Sequence, residues 1–258
     1  MTAFTSAFEV TKVSKGDSTL TSVQIALEMP YTIVSNGIDI STLMCSPSDI
    51  KELTFGFLYN SGFINSSADI SSFNLNEDKC IIDVSLKIDI NAKNLNDTKV
   101  LNTGVKQIYT TFGENNFSPL DFDFRVEKEK ISDAIKWFQF RSVIFKSTKG
   151  VHFSALSLKG EMPEKIFEDV ARHNAVDKVT GNALIRQFDF SKSLLFCSCR
   201  ISSEILNKAI RCKIPFVISF HSPTHQAILL AKKMNVTLIG NLKMNGFIIY
   251  NCADRVID

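Results

Sequence analysis

An α/β protein is the fold class that the sequence predicts, and two patterns indicate it. From residue 174 onward, short apolar runs typical of buried strands alternate with segments whose apolar residues recur every three or four positions. The first half is richer in strand-like segments, and Asn36-Gly37 is typical of a tight hairpin turn. Alternating strands and helices form a sheet covered by helices, with right-handed crossovers. We therefore expect a smaller, β-rich α+β domain over residues 1–125 and an α/β domain over residues 126–258.

The composition is that of an ordinary globular protein. Of the 258 residues, 45% are hydrophobic and 22% are charged, which is enough for a sizeable core. The formal net charge of +2 comes without a basic block, so a duplex nucleic-acid partner has no electrostatic support. No segment approaches the roughly 20 apolar residues of a membrane span, and the N-terminus lacks a charged leader before an apolar run. We expect a cytoplasmic protein that binds neither nucleic acid nor membrane.

The elements of the first half follow from turn residues and apolar spacing. The first dozen residues are expected to fray. A hairpin over 31–44 is followed by a helix from Ile50 that ends before Gly62, and then by a strand from Cys80. Residues 91–116 are polar and are expected to form a mobile loop or a short helix, which would end the first domain.

The second half reads as a regular series of helices and strands. In order, we expect a helix over 127–138, strands over 151–158 and 165–170, a helix from Asn174, a strand over 193–198, a helix from Ser203, a strand over 216–219, a helix opened by Ser222 and Pro223, and strands over 236–240 and 247–250. Asn174 and Ser202 are the predicted N-caps of their helices, with Asp177 favouring the positive end of the first. Pro223 at a first helical position presets the backbone there.

Three corners where a predicted strand meets a helix carry unusual sets of polar residues. They are Arg172-His173-Asn174, Ser198-Cys199-Arg200 and Phe220-His221-Ser222-Pro223-Thr224. Ligands of such sheets bind at the carboxyl ends of the strands, and helix N-termini with two arginines favour phosphate or a nucleotide. Taken alone, the segment around Arg172 is more typical of a solvated helix start with an ion pair between Glu168 and Arg172.

Several motifs, in this order, resemble those of one known family. They are Val34-Ser-Asn-Gly, Met44-Cys-Ser-Pro-Ser-Asp, Gly56-Phe-Leu, Ser61-Gly-Phe-Ile, Thr148-Lys-Gly-Val-His-Phe-Ser-Ala, Glu168-Asp-Val-Ala-Arg-His-Asn-Ala-Val-Asp-Lys, Ser198-Cys-Arg, Ser203-Glu204, Ser222-Pro-Thr and Leu238-Ile-Gly. The chain resembles the formate dehydrogenase accessory sulfurtransferase family, FdhD/NarQ. The resemblance implies a cytidine deaminase-like three-layer C-terminal domain and a cytoplasmic homodimer. It also implies a function in formate dehydrogenase maturation, in which sulfur passes from a cysteine desulfurase to the molybdenum bis-guanine-dinucleotide cofactor.

The corners and the resemblance together give a set of expected binding residues for molybdopterin guanine dinucleotide, with GDP as its mimic. The set is Arg172, His173, Asn174, Ser198, Arg200, Ser219, Pro223, Thr224, Asn241, Leu242, Lys243, Met244, Asn245 and Gly246. The segment from Asn241 to Gly246 is included in this set only because of the resemblance. Within it, Lys243 stands where the family usually has an arginine. We expect Thr224 to offer its hydroxyl and its N–H to phosphate.

The chain departs from the family at the sulfur-carrying loop. The family holds its persulfide on Cys-Gly-Val-Cys, and the matching positions here are Thr103-Gly104-Val105-Lys106. A threonine hydroxyl cannot carry a transferable sulfur, because the chemistry needs a thiolate. Cys199, beside Arg200 and a helix start, is the candidate catalytic thiol; its other interpretation is a small buried residue. The alternative function is a non-catalytic nucleotide-binding or cofactor-binding relative that has lost sulfur transfer.

The implied fold raises the question of a zinc deaminase, and the sequence argues against one. The histidine- or cysteine-plus-glutamate motif and the Pro-Cys-x-x-Cys motif of those enzymes are both missing from the sequence. His221 and His225 are assigned structural positions at a helix start, so no bound metal is expected. His152 is either a site residue or a core residue, and His173 is expected to face the ligand. Asp177 and Glu204 are expected to cap helices and to orient the arginines.

Overall fold

The computed structural model describes residues 4–87, 117–243 and 246–258. The helices of these residues are α1 (Ile50–Asn60), α2 (Lys128–Gln139), α3 (Val143–Thr148), α4 (Arg172–Ile185), α5 (Ser203–Arg211) and α6 (His225–Met234). The strands are β1 (Thr5–Ser14), β2 (Asp17–Ala26), β3 (Met29–Ser35), β4 (Ile38–Cys45), β5 (Ile70–Asn76), β6 (Ile81–Leu86), β7 (Val126–Glu127), β8 (His152–Leu158), β9 (Ile166–Asp169), β10 (Ser193–Cys197), β11 (Phe216–Ser219), β12 (Thr237–Lys243), β13 (Gly246–Asn251) and β14 (Val256–Ile257).

A four-stranded sheet in the order β4-β3-β6-β5 forms the first half of the molecule. Its β3–β4 hairpin turns at Asn36 and Gly37, whose φ angles of 51° and 76° are those that a tight hairpin turn requires. Ile33 and Ile82 of this sheet pack with Leu53 of α1 in one buried cluster. The predicted hairpin, helix and strand of this region are therefore confirmed.

The prediction that the first dozen residues fray was wrong for those that the structure describes, because a strand begins at Thr5. β1 and β2 pair along their whole length, from Thr5 opposite Ala26 to Ser14 opposite Asp17. Lys15 and Gly16 form the two-residue turn with φ angles of 42° and 101°. In β2 a β-branched residue stands at every second position from Thr19 to Ile25, which is typical of a strand.

A six-stranded sheet in the order β13-β12-β11-β10-β8-β9 is the centre of the second half. Strands β10, β11 and β12 run parallel, whereas β8, β9 and β13 are each antiparallel to their neighbours. Alternate residues of β10 face opposite sides: Leu195 belongs to the core formed with α4, α5 and α6, whereas Leu194 belongs to the core formed with α2. The sheet thus has helices on both faces, and the predicted mixed α/β fold is confirmed.

Two helix starts differ from their predictions. Helix α4 begins at Arg172 with Ala171 as its N-cap, rather than at Asn174. The Asn174 side chain is buried and donates hydrogen bonds to the Met44 carbonyl at 2.8 Å and to Asp169 at 3.1 Å. Helix α6 begins after Thr224, whose hydroxyl accepts the Ala227 N–H at 3.3 Å, so Ser222 and Pro223 precede the helix. Ser202 caps α5 as predicted, by accepting from Ile205.

Helices α1 and α4 cross at two glycines, which couples the two halves of the chain. A Cβ on Gly56 would lie 1.8 Å from the Asp177 carbonyl oxygen, and a Cβ on Gly181 would lie 1.8 Å from the Glu52 carbonyl oxygen. The two backbones are therefore in direct contact. This crossing fixes the position of α4, the helix that begins with Arg172.

A buried ion pair adds a second connection between the halves. Lys178 Nζ lies 2.7 Å from Asp169 Oδ2, and both side chains are 0% exposed. Lys178 also donates to the Ser46 and Glu168 carbonyls, while Asp169 accepts the Ser46 N–H at 3.1 Å. A buried pair with these extra hydrogen bonds is stable because each charge is fully compensated. The loop after β4 is thereby attached to the end of β9 and to α4.

The predicted division at residue 125 remains a prediction. Residues 88–116, which contain Thr103–Lys106, lie outside the described residues. Among the described residues, no helix has both the length and the apolar character that crossing a bilayer requires.

Candidate functional site

The register of the six-stranded sheet brings the predicted corners to one edge. Cys197, the last residue of β10, pairs with Ser154 of β8 and with Ser219, the last residue of β11. His152, the first residue of β8, pairs with Asp169, the last residue of β9. The first residue of β8 and the last residues of β9, β10 and β11 therefore lie along one edge, here named the site edge.

Two predicted site residues serve to join the corners to one another. The Ser198 hydroxyl accepts the Phe153 N–H at 2.8 Å, which links the end of β10 to the start of β8. The Ser219 hydroxyl donates to the Cys199 carbonyl and accepts the His221 N–H at 3.1 Å. These hydroxyls support the loops that would surround a ligand.

Backbone hydrogen bonds join the remaining corners. The Thr224 N–H donates to the Ile201 carbonyl at 2.9 Å, so the expectation that this N–H is available to phosphate was wrong. The Asn241 N–H donates to the His221 carbonyl at 3.3 Å, which places the last residues of β12 beside the β11 corner. Of the expected binding residues, Met244 and Asn245 lie outside the described residues.

The charged residues at the site edge are organised by Glu204, in the first turn of α5. Its Oε2 lies 3.1 Å from His173 Nε2 and 3.7 Å from the Arg172 guanidinium. Glu204 therefore orients an arginine, as expected. The proposed ion pair between Glu168 and Arg172 is replaced by this one, since Glu168 Oε1 accepts the Ile144 N–H at 3.1 Å.

Asp177 does not cap helix α4, contrary to the expectation. Its buried carboxylate lies 2.6 Å from Lys208 Nζ and accepts a hydrogen bond from Asn60 at 2.7 Å. Lys208 in turn donates to the His173 carbonyl at 3.3 Å. The contacts of Asp177 and Lys208 therefore fix the first turn of α4 against α5.

His173 presents an unpaired nitrogen in this setting. Burial lowers the pKa of His173, the nearby Lys208 and Arg172 charges lower it further, and Glu204 acts against them. A neutral imidazole that donates from Nε2 to Glu204 has an acceptor at Nδ1. That Nδ1 is buried and has no hydrogen-bond partner within the described part of the chain.

His152 belongs to the site edge. Burial lowers the pKa of His152, and the charges of Arg172, His221 and His173 lower it further. The three histidines and the arginine therefore lie close enough to influence one another. The strand register places His152, which the sequence left open between site and core, on the same edge as Arg172. His221 belongs to one of the predicted corners but was left out of the predicted binding set.

Cys199 is buried, at 4% exposed, and belongs to the same core cluster as Cys197. The hydrogen bond from Cys197 lowers the pKa of Cys199, and the charges of Arg172 and Arg200 lower it further. The same hydrogen bond, together with burial, raises the pKa of Cys197 well above its ordinary value. The interpretation of Cys199 as a small buried residue is confirmed, and its catalytic role stays a prediction.

The exposed part of the edge is cationic. Arg172 is 40% exposed and Arg200 is exposed, so both guanidinium groups are able to meet a ligand. Arginines recognise phosphate oxygens with paired N–H donors. The edge can therefore bind an anion next to a stabilised thiolate.

Comparisons with known proteins agree with one another. The model of the FdhD/NarQ family matches residues 26–257. The chain is 31% identical over 257 residues to the sulfur carrier protein FdhD of Staphylococcus haemolyticus, covering 96% of this chain and 95% of that protein. It is 32% identical over 248 residues to the protein of the same name from Staphylococcus aureus strain MRSA252, covering 92% of this chain and 91% of that protein.

The fold is also that of a solved structure. A crystal structure of a protein assigned as a formate dehydrogenase accessory protein, from Desulfotalea psychrophila, superposes with a TM-score of 0.80 at 24% identity. The match covers 99% of this chain and 100% of that one. With a family model that spans most of the residues and relatives above 30% identity along nearly the whole length, this chain belongs to the FdhD/NarQ family.

Proposed function

We propose that this protein is a maturation factor for formate dehydrogenase that binds molybdopterin guanine dinucleotide and transfers sulfur to it. The observation that carries the proposal is the convergence of Arg172, Arg200 and the Cys199 thiol on one edge of the sheet. Two further observations support the proposal. The chain belongs to the FdhD/NarQ family, and its relatives are named a sulfur carrier protein, which supports sulfur transfer, and a formate dehydrogenase accessory protein, which supports formate dehydrogenase as the enzyme served.

The residues at the edge suit such a cargo. The diphosphate of a guanine dinucleotide carries negative charge, which Arg172 and Arg200 would neutralise. The unpaired His173 Nδ1 would accept a hydrogen bond from the ligand. Asn241 and Leu242, near the end of β12, lie beside the β11 corner and would supply further contacts.

Sulfur transfer requires a thiolate, and Cys199 is the thiol placed to supply it. Between Cys80 and Cys197 the sequence contains no cysteine, so the region around Thr103 cannot hold a persulfide. We assign the sulfur-carrying position to Cys199, with a cysteine desulfurase as donor. The effect of the Arg172 and Arg200 charges on this thiol, whose pKa they lower, supports the assignment.

GDP binding tests the cargo site. We expect isothermal titration calorimetry to detect GDP binding that weakens about 10-fold or more in Arg172→Ala and in Arg200→Ala, the loss of a hydrogen bond to a charged group. Arg186→Ala is the matched control, because Arg186 is 43% exposed and pairs with Glu164 away from the site edge. Unchanged affinity in both site variants would remove this assignment.

A second candidate is a cofactor-holding relative without sulfur transfer. The replacement of the persulfide loop by Thr103–Lys106 favours it. Incubation with a cysteine desulfurase, cysteine and a persulfide-selective label distinguishes the two functions. Label on Cys199 supports the sulfur carrier, whereas GDP binding without label on any cysteine supports the cofactor-holding protein.

The remaining features belong to the same proposal. We assign a cytidine deaminase-like arrangement to the three layers around the six-stranded sheet, and we propose a cytoplasmic homodimer. Sedimentation of the full chain tests the dimer, and a monomer at micromolar concentration would contradict it.

A further inference from the structure

Two large apolar side chains are exposed where α2 ends and α3 begins. Phe140 is 63% exposed and Val143, three residues later, is 72% exposed. The buried residues of α2 lie on its other side, where Ile131, Ala134, Ile135 and Phe138 pack on the six-stranded sheet. Exposed apolar side chains that stand close together with a polar rim are typical of a protein interaction site.

The same stretch of chain concentrates positive charge. Residues 128–149 contain six lysine or arginine residues and two acidic residues, which gives a net charge of +4. The whole chain has +2, so the remaining residues carry −2. Carboxylates compensate three of the six cations: Lys128 pairs with Asp258, Lys130 with Glu127 and Lys136 with Asp133.

The other three cations, Arg141, Lys146 and Lys149, are exposed and form no ion pair with any residue of the described ranges. They surround the two apolar side chains in the sequence. We name Phe140, Arg141, Val143, Lys146 and Lys149 the α2–α3 surface.

Aromatic rings hold two of these cations in place. The Arg141 guanidinium lies 5.3 Å from the centre of the Trp137 ring, and Lys149 Nζ lies 4.7 Å from the centre of the Phe145 ring. Because a cation that is already held loses less conformational entropy on binding, such groups suit carboxylates that are themselves fixed on a folded partner.

Helix α3 is attached to the site edge. Glu168, near the end of β9, accepts the Ile144 N–H at 3.1 Å and the Phe145 N–H at 3.2 Å. At its other end, α3 finishes at Thr148, four residues before His152 begins β8. The starts of α3 and of β8 are therefore both fixed to β9, and a molecule bound on the α2–α3 surface lies next to the cargo site.

We propose that the α2–α3 surface docks a partner protein that presents acidic side chains around an apolar contact, and holds it beside the site edge while cargo is exchanged. Opposite charges steer the encounter and fix its register, while Phe140 and Val143 supply the apolar centre of the contact. The exchange of cargo rests on the function proposed above. An acidic surface is the chemistry that the sulfur donor and the enzyme served would share, and the experiment distinguishes these two proteins.

Two other occupants fit the surface less well. Lipid headgroups diffuse freely, so an anionic membrane gains nothing from cations held in place, and each lysine or arginine near it contributes only about 1 kcal/mol. A second copy related by a two-fold axis would bring the same basic surface against itself, which places like charges together.

The test measures binding of the full-length protein to a purified cysteine desulfurase in one arm and to formate dehydrogenase without its cofactor in the other, by biolayer interferometry. A triple variant with Arg141→Glu, Lys146→Glu and Lys149→Glu is expected to bind about 10-fold more weakly or worse, chiefly because association slows. Wild-type association is expected to slow between about 0.05 M and about 0.5 M salt. Phe140→Ala is expected to dissociate faster.

The controls lie on the opposite face of the sheet. A triple variant with Lys213→Glu, Lys232→Glu and Lys233→Glu makes the same change in net charge at exposed positions on or next to α5 and α6. Leu229→Ala matches Phe140→Ala, because Leu229 is 49% exposed on α6. Both controls are expected to bind like the wild type, and circular dichroism verifies that every variant is folded.

Several results would overturn the inference. If neither protein binds the wild type, or if both triple variants bind alike, the α2–α3 surface is not a docking site, while GDP binding still decides the cargo site. If the surface variants lose binding to phosphatidylserine vesicles and keep binding to both proteins, the occupant is a membrane. If they convert a dimer to monomers in sedimentation, the occupant is a second copy. Either result contradicts the acidic partner.

Discussion

The Glu204 carboxylate lies 3.1 Å from His173 Nε2, so a single side chain of α5 sets the orientation of the imidazole at the start of α4. Glu204 also contacts the Arg172 guanidinium at 3.7 Å. The orientations of Arg172 and His173, both proposed to bind the cofactor, therefore depend on the Glu204 carboxylate.

Replacing Glu204 by glutamine is expected to lower the free energy of unfolding by about 1–3 kcal/mol, because a partly buried Arg172 and His173 lose a charged acceptor. Urea denaturation monitored by circular dichroism measures this change. Glu164→Gln is the control, since the pair between Glu164 and Arg186 is exposed and is expected to contribute less than about 1 kcal/mol. Equal losses in the two variants would contradict the importance of the Glu204 contacts.

Adding a methyl group where α1 and α4 cross is expected to be severely destabilising. In Gly56→Ala and in Gly181→Ala, the new Cβ would lie 1.8 Å from a backbone oxygen, so the helices must separate. We expect a loss of at least about 3 kcal/mol in the free energy of unfolding, measured by thermal or urea denaturation. Gly150→Ala is the control, because its Cβ would have no neighbour closer than 3.5 Å. A stable, wild-type-like Gly56→Ala protein would disprove the close contact.

Removing the Lys178 charge is expected to leave an uncompensated carboxylate in the core. Lys178→Met should lose about 3–5 kcal/mol at neutral pH, because Asp169 is 0% exposed and its ammonium partner lies 2.7 Å away. A second substitution, Asp169→Asn in the same chain, is expected to recover part of this loss.

The loss in Lys178→Met should also depend on pH. Burial raises the pKa of Asp169 although Lys178 opposes that shift, and removal of Lys178 is expected to raise the pKa of Asp169 further. Such a group favours the folded state most below the unfolded pKa of about 4, and this contribution disappears as the pH rises through the folded pKa. Denaturation at about pH 4.5 and about pH 8 should show the larger penalty at the higher pH. An equal penalty at both would contradict the prediction.

The reactivity of Cys199 is expected to show its lowered pKa. The pH at which iodoacetamide labels half of Cys199 should lie below that of an ordinary thiol, since Cys197 and two arginines stabilise the thiolate. Arg172→Ala should raise that pH, and Arg186→Ala should not. Burial raises the pKa of Cys212 to about 12, so its labelling is an internal reference that should lag throughout. Peptide mass spectrometry resolves the two sites.

The sequence allowed the second half of the fold to be predicted almost element by element, because each strand is a compact apolar run and each helix has one apolar face. The β1–β2 hairpin was missed although Lys15-Gly16 and the alternating β-branched residues indicate it. Many of its side chains are exposed, so the strands lack the continuous apolar pattern that identified the others.

The sequence predicted which polar residues lie near the site more accurately than it predicted the hydrogen bonds that they make. Asn174 and Asp177 have the chemistry of helix-start residues, but buried partners far away in the sequence, Met44 and Asn60, determine what they contact. Similarly, the Thr224 N–H donates its hydrogen bond to the Ile201 carbonyl and is not available to a ligand. Such partners follow from the crossing of distant elements, which local spacing does not reveal.

The glycine crossing has a consequence for how the chain is made. During synthesis α1 emerges long before α4, and the backbone groove at Gly56 has no surface to close against until Gly181 follows. The crossing therefore cannot form until α4 has been made, and a nascent chain halted before that helix would expose the face of α1 that α4 covers.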